Sequence, residues 1–441
     1  MRTNRKIGIL CTLLAAGCAH EDNSGNSVEP TSIAKTPEPI SEVPPVESQA
    51  PTPDAIPQTI GSSDAFVKAS NELAMNLYRV NQKKPGNMVF SPASISLAFT
   101  MTYAGANGAT ADEMAATLHL GDNANVHSSA SAFLAGWRKQ GNEELTIVNR
   151  LFGQSGYKFE TPFLATTKDL YFAPLETLDF EGSPDKQRVH INKWVMAQTA
   201  DKIEELLPTK SLDVMTRLVL VNAVHFLGKW SSAFPKKNTK SLPFWVDGKS
   251  KTKLPTMALT HNFAYSKVKG AKVLQLPYEG SDLAMTLILP DKRGGLAGLE
   301  SKMSTVTLNG WLSALSTKKV SVELPRFELK NARIPLKESM QSLGMKLAFD
   351  SAAADFSKMR NSGLDNERLY IAKAFHEAFV KVDESGTEAA AATAVVMGKR
   401  GGGPPPVEQI VDFHVDQPFL FTISDTSSGA ILFLGRVVDP R

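Results

Sequence analysis

Few side chains in this sequence have the types and spacings that catalysis requires. His376-Glu377 forms the first half of a His-Glu-x-x-His metal pattern, but the second histidine is missing. Ser-x-x-Lys begins at Ser183, Ser250, Ser266 and Ser316, scattered and without the partner motifs that accompany it in penicillin-binding enzymes. There is no nucleophile elbow, no phosphate loop and no dinucleotide glycine fingerprint. The eight histidines have no metal-ligand spacing, and two cysteines in 441 residues exclude a disulfide framework or a cysteine-rich zinc module. The expectation is a protein that is not an enzyme and holds no metal or cofactor.

The stretch from Lys381 to Gly403 combines features that seldom share a segment. Glu384, Gly386 and Thr387 lead into Glu388 and four alanines, Ala389, Ala390, Ala391 and Ala392, followed by Thr393, Ala394 and Val395. In an extended chain Thr387, Ala389, Ala391 and Thr393 share one face, all small, with Glu388 on the other. Such a strand can slide into an existing sheet without overpacking it. Alanine also favours helix, which is the competing reading. Gly386 before the run, β-branched residues inside it and Gly401-Gly402-Gly403-Pro404-Pro405-Pro406 after it argue for an exposed, mobile loop. Lys399 and Arg400, read from charge alone, are solvated residues near its tip.

The elements that would present this loop occupy the rest of the chain. At 42% hydrophobic and 21% charged the composition is globular, and the net charge of +3 gives no footprint for nucleic acid. Residues 1–17 read as an export signal: Arg2, Arg5 and Lys6 precede an apolar run from Ile7 to Ala16, too short to span a bilayer. The run ends in Leu14-Ala15-Ala16-Gly17-Cys18, which resembles the bacterial lipobox, although lipoboxes favour leucine where Ala15 stands. Cys18 would then carry the lipid and begin the mature chain; cleavage after Ala19 is the alternative. Residues 18–63 form a tether: from Ala19 to Ser63 there are eight prolines, seven acidic residues and one lysine, with no apolar periodicity, so the segment reads as disordered. Subtracting +3 for the signal and −6 for the tether leaves +6 for the body, residues 64–441.

That body reads as α+β. Phe66, Ala69, Leu73, Leu77 and Val80 form one helical stripe, and Asn192 to Leu207 is a second helix-like stretch ended by Pro208. Strand-like runs are Leu218 to Phe226, Lys272 to Pro277, Leu283 to Leu289, Val320 to Leu324, Phe379 to Val382, Phe419 to Ile423 and Ile431 to Val438. Without regular βαβ alternation, a doubly wound sheet is disfavoured.

The loop segment resembles the reactive loop of the serpins, and motifs through the body resemble the same family in order. They are Phe90-Ser91-Pro92-Ala93-Ser94-Ile95-Ser96, then Val221 to Trp230 (VNAVHFLGKW), then Leu324-Pro325-Arg326-Phe327. The approach from His376 to Asp383 follows, then Asp416-Gln417-Pro418-Phe419 and Phe433-Leu434-Gly435-Arg436-Val437. The resemblance covers essentially Asp64 to Arg441. It implies a large, mainly antiparallel sheet A, sheets B and C, eight to nine helices and an exposed reactive loop. It also implies a monomer that acts once. A protease cleaves the loop and becomes esterified to it; the loop then inserts into sheet A and traps the covalent 1:1 complex, drawing on a metastable native state.

Counting seventeen positions from Glu384, as the family's pattern implies, ends at Arg400 and puts the scissile bond between Arg400 and Gly401. A long cation there suits the carboxylate-lined pocket of trypsin-like serine proteases; Lys399 would select a similar class, while Met397 and Val396 suit chymotrypsin-like or elastase-like enzymes. By the same matching, Glu384 and Gly386 to Ala392 form the hinge. Ser91, Ser94, Asn222 and His376 form the shutter beneath the sheet, and Trp230 marks the breach at its top. Ordinary buried hydrogen bonding is the plainer account of the shutter residues. A non-inhibitory serpin, acting as a binding or chaperone-like module, is the competing function; the small hinge residues favour inhibition. Activation by a sulfated polysaccharide has little support, since Gly105 to Ala135 contains no Lys or Arg. Lys236, Lys237, Lys240, Lys249, Lys251 and Lys253 read as a solvated hairpin surface, or as one that binds an acidic patch on a target protease. Location is expected at the bacterial envelope through the lipid, or secreted.

Overall fold

The computed structural model describes residues 61–121, 125–139, 145–246, 250–330, 333–360, 368–387 and 409–441. The export signal, Cys18, the tether up to residue 60, Lys249, Glu388 to Ala392, Arg400 and Gly401 lie outside the described residues.

The chain opens with α1 (Asp64–Asn81), whose apolar stripe Phe66, Ala69, Leu73 and Leu77 is buried as its spacing predicts, with Val80 at the edge. β1 (Met88–Phe90) leads into α2 (Pro92–Tyr103). Ser91 caps α2 by accepting the Ser94 N–H at 3.3 Å, and Pro92 supplies a preset first helical φ. This helix is buried from Pro92 to Thr102, so it is a central post rather than a surface helix. After α3 (Gly108–Thr117) and α4 (Val126–Lys139) come β2 (Leu145–Gln154), α5 (Thr161–Asp169), β3 (Glu176–Leu178) and α6 (Pro184–Gln198).

The helix expected over Asn192 to Leu207 is instead α6, starting eight residues earlier and stopping at Gln198. Ala200 and Asp201 take positive φ (47° and 61°), and the Thr199 hydroxyl accepts the Ile203 N–H at 3.2 Å. Asn192 then holds the chain end by donating to Leu207 O (2.9 Å) and accepting from Leu207 N (2.8 Å). The apolar residues that mimicked a helix, Ile203, Leu206 and Leu207, are buried in a non-helical strap.

β4 (Leu218–Phe226) is buried along its whole length, and β5 (Gly228–Lys229) continues it. Next come β6 (Lys240–Trp245), β7 (Lys251–Val268), β8 (Ala271–Pro277), β9 (Leu283–Pro290), α7 (Leu296–Glu300) and α8 (Thr305–Ser313). The rest comprises β10 (Ser316–Pro325), β11 (Phe327–Leu329), α9 (Leu336–Ser342), β12 (Lys373–Val382), β13 (Gly386–Thr387), β14 (Val411–His414), β15 (Phe419–Asp425) and β16 (Ile431–Val437). Among the described residues these are nine α-helices and two sheets.

The seven-stranded sheet runs β3-β2-β4-β12-β13-β5, with β11 also on β12. It is mainly antiparallel, but the β4–β12 pair at its centre is parallel, from Lys373↔Val219 to Phe379↔His225. Alternate β4 residues divide its faces. Leu218, Leu220 and Val224 join the main core, while Val219, Val221 and Ala223 pack with Ile191 and Val195 of α6 and with the strap. The nine-stranded sheet runs β1-β16-β15-β9-β8-β7-β10-β14 with β6 on β7; the 18-residue β7 joins into one what the sequence suggested as sheets B and C.

Candidate functional site

Where β4 and β12 run side by side, their polar residues meet in register. Asn149 of β2, Asn222 of β4 and His376 of β12 are consecutive cross-strand partners. All three point to the α2 side. The Ser91 backbone N–H donates to His376 Nε2 at 3.0 Å, so the ring proton sits on Nδ1, which donates to Asn222 Oδ1. Asn222 Nδ2 donates in turn to Ser94 O (2.9 Å), to Ser94 Oγ (2.6 Å) and to Asn149 Oδ1. Asn222 is fully buried and His376 is 2% exposed. Burial lowers the histidine from 6.5 to about 3, so the imidazole is neutral at physiological pH. Ser91, Ser94, Asn222 and His376, named from sequence as the shutter, form one hydrogen-bonded cluster. Asn149 was missed, because a lone asparagine among the residues of β2 carries no signal until the register with β4 is known.

The upper end of the β4–β12 pair is built differently. Beyond Val382 the chain turns at Asp383 to Gly386 and comes back as β13. Thr387 pairs with Val382 on one side and with Gly228 of β5 on the other. Gly386 and Thr387 therefore already sit between the two strands' extensions. Below them, β4 and β12 bond directly along Lys373–Phe379.

Glycine is required at 386 by close approach: an added Cβ would lie 1.9 Å from Gly228 O and 2.7 Å from Lys229 Cα. Thr387 is fully buried, its hydroxyl 2.7 Å from Tyr278 OH.

Trp230 closes this end. Its indole stacks on Tyr278 with centroids 4.7 Å apart and planes 14° from parallel, and its Nε1–H donates to Asp383 O at 2.9 Å. Its backbone N–H donates to Ser385 O at 2.9 Å. Glu384 is buried at the turn, where Thr239 Oγ1 and the Arg326 guanidinium donate to its Oε1, Arg326 Nε at 2.9 Å. Burial alone would raise its pKa. The hydrogen bonds from Arg326 and Thr239, with the Arg326 charge, outweigh this and hold the carboxyl below its ordinary value. Tyr278, Thr239 and Arg326 were not named as part of this end from sequence; Arg326 stood within a quoted motif without a role.

The parallel β4–β12 pair, the polar cluster beneath it and the hairpin seated at its top thus form one continuous arrangement at the centre of the sheet. A sequence model described as serpin (serine protease inhibitor) matches residues 68–440, and the chain belongs to that family. The human leukocyte elastase inhibitor is 37% identical over 383 residues, 84% of this chain and 98% of that protein. Among solved structures, uncleaved ovalbumin is 28% identical with a TM-score of 0.75, covering 86% of this chain and all of its own. Serpin48 of the insect Tenebrio molitor is 30% identical with a TM-score of 0.74, covering 85% of this chain and 98% of its own. The family description and the name of the human relative agree with an inhibitor rather than an enzyme.

Proposed function

We propose that this chain is an irreversible suicide-substrate inhibitor of trypsin-like serine proteases, cleaved between Arg400 and Gly401. The observation that carries the reading is the seating of Gly386 and Thr387 between β12 and β5 while β4 and β12 remain paired below. Insertion has a ready starting point and an unused path. The protease serine would attack the Arg400 carbonyl, forming an ester and releasing the Gly401 amine. From Thr387 to Arg400 the chain has fourteen residues, about 45 Å when extended. β4 has only nine, so an inserted loop would carry the esterified protease beyond the far end of that strand. A dozen new strand hydrogen bonds at about 1 kcal/mol each would contribute on the order of 10 kcal/mol.

The test is incubation with trypsin at equal molarity, followed by denaturing gels and mass spectrometry. A boiling-stable band near the summed masses, with a released peptide beginning at Gly401, is expected. Cleavage there with trypsin left active would instead mean a non-inhibitory serpin. The name of the human relative favours a second specificity, elastase; a released peptide beginning at Met397 or Gly398 would support that reading over the trypsin-like one. The same proposal places the protein at a bacterial envelope through a lipid on Cys18, with secretion after cleavage at Ala19 as the alternative. Mass spectrometry of the mature N-terminus separates the two.

A further inference from the structure

The β6–β7 hairpin displays an organised cationic face that the insertion mechanism does not use. Phe244 and Leu254 point inward and are buried, so the alternate positions Ser241, Pro243, Trp245, Lys251, Lys253 and Pro255 face outward, while Lys240 lies at the edge in register with Thr256. From Lys236 to Thr256 the sequence has six lysines and a single acidic residue, Asp247. Among the described residues, none of Lys236, Lys237, Lys240, Lys251 and Lys253 is shown in an ion pair, and all five are exposed. Trp245 lies between two cations: the Arg293 guanidinium is 4.5 Å from its ring centroid and Lys251 Nζ is 5.7 Å away.

This face is tied to both roots of the reactive loop. The Arg326 N–H donates to Pro255 O at 2.9 Å, and Arg326 holds Glu384 on the N-terminal side. On the C-terminal side the Trp245 N–H donates to Asp416 O at 2.8 Å, and Arg293 pairs with the Asp416 carboxylate at 2.6 Å.

We infer that the outer face of this hairpin is a second contact surface for the target protease, receiving an acidic patch on that enzyme. A merely solvated lysine surface needs no tryptophan and prolines between its charges. An apolar plate edged by cations matches the anchor composition of protein interfaces better than that of a polysaccharide site. The proposal takes its partner from the inhibitory reading, but binding at this face does not require that the loop insert.

The experiment compares the parent with a Lys251→Glu/Lys253→Glu variant against anionic and cationic trypsins, which share a pocket preference but differ in surface charge. The second-order rate of loop cleavage is read whether or not a complex persists, at about 20 mM and about 500 mM salt. With anionic trypsin at low salt the parent is expected to react about tenfold faster than the variant, the gap closing at high salt. With cationic trypsin the gap should vanish or reverse. Trp245→Ala should slow anionic trypsin at both salt concentrations. Parent and variant rates within twofold of each other with anionic trypsin at low salt would overturn the surface. So would a variant that loses only heparin retention, which would assign the face to a polyanion. Cleavage without a stable complex would sink inhibition alone, leaving these rates to judge the surface.

Discussion

His376 on β12 and Asn222 on β4 stand opposite one another in the parallel pair at the centre of the seven-stranded sheet and share a direct hydrogen bond. Asn222 also bonds Ser94 of α2, and His376 accepts from Ser91 at that helix's start. The two strands are thus fastened to each other and to the buried post beneath them, at the place where a further strand would part them.

Replacing Asn222 with alanine leaves the His376 Nδ1–H and the Ser94 hydroxyl without their partner, a loss of about 2 to 3 kcal/mol in a buried site. If that loss falls on the barrier to opening, the native form should disappear at least about tenfold faster on mild heating. Native gels following loop-inserted or polymeric species would show it. An unchanged half-life would mean that the cluster serves packing only.

Acid should destabilise the folded chain through the same histidine. With His376 lowered to about 3 by burial, the folded chain keeps the ring neutral while the unfolded chain takes up a proton below 6.5. Its contribution is fully present above pH 6.5 and is lost as pH falls toward 3, about 2 kcal/mol of it between pH 7.5 and 5. His127, lowered to about 4 by burial, acts in the same window. Unfolding rates should rise over that interval, and His376→Gln should flatten part of the rise. A rate independent of pH from 7.5 to 5 would contradict this account.

At the top of the sheet the seat is sterically exact in its demand for glycine. Gly386→Val places a side chain against the Gly228 carbonyl, and Thr387→Arg forces a charge into a fully buried position. Both variants should still be cut by trypsin but yield free cleaved chain and active enzyme, with complex falling by tenfold or more. Gel densitometry of complex against cleaved product decides it; undiminished complex would show that trapping does not depend on this seat.

Arg326→Ala removes the guanidinium that holds the buried Glu384, and the carboxyl pKa should rise. The turn at Asp383 to Gly386 should become mobile, visible as faster amide exchange at Ser385 and Gly386. Exchange equal to the parent would mean that Thr239 and the Trp230 contacts suffice.

Much of this was legible in the sequence because the elements advertise themselves. Leu218 to Phe226 is an unbroken apolar run and folds as β4 with the expected bounds. β12 begins at Lys373, six residues before the run that marked it, since His376 and Glu377 do not read as strand residues although the sheet buries both. Ser91, Ser94, Asn222 and His376 were named together through motif resemblance, not periodicity. The fifth residue of the observed cluster, Asn149, depends on strand register, which a single sequence does not encode locally. Arg326 and Thr239 were missed as partners of Glu384 for the same reason: they lie 58 and 145 residues away in the chain.

Once cut, the loop is expected to insert between β4 and β12. The most direct measurement is thermal unfolding of the chain before and after cleavage at Arg400. Insertion predicts a midpoint raised by tens of degrees, with new protection of amides on the facing edges of β4 and β12. A cleaved chain that melts where the intact one does, with those amides exchanging as before, would contradict it.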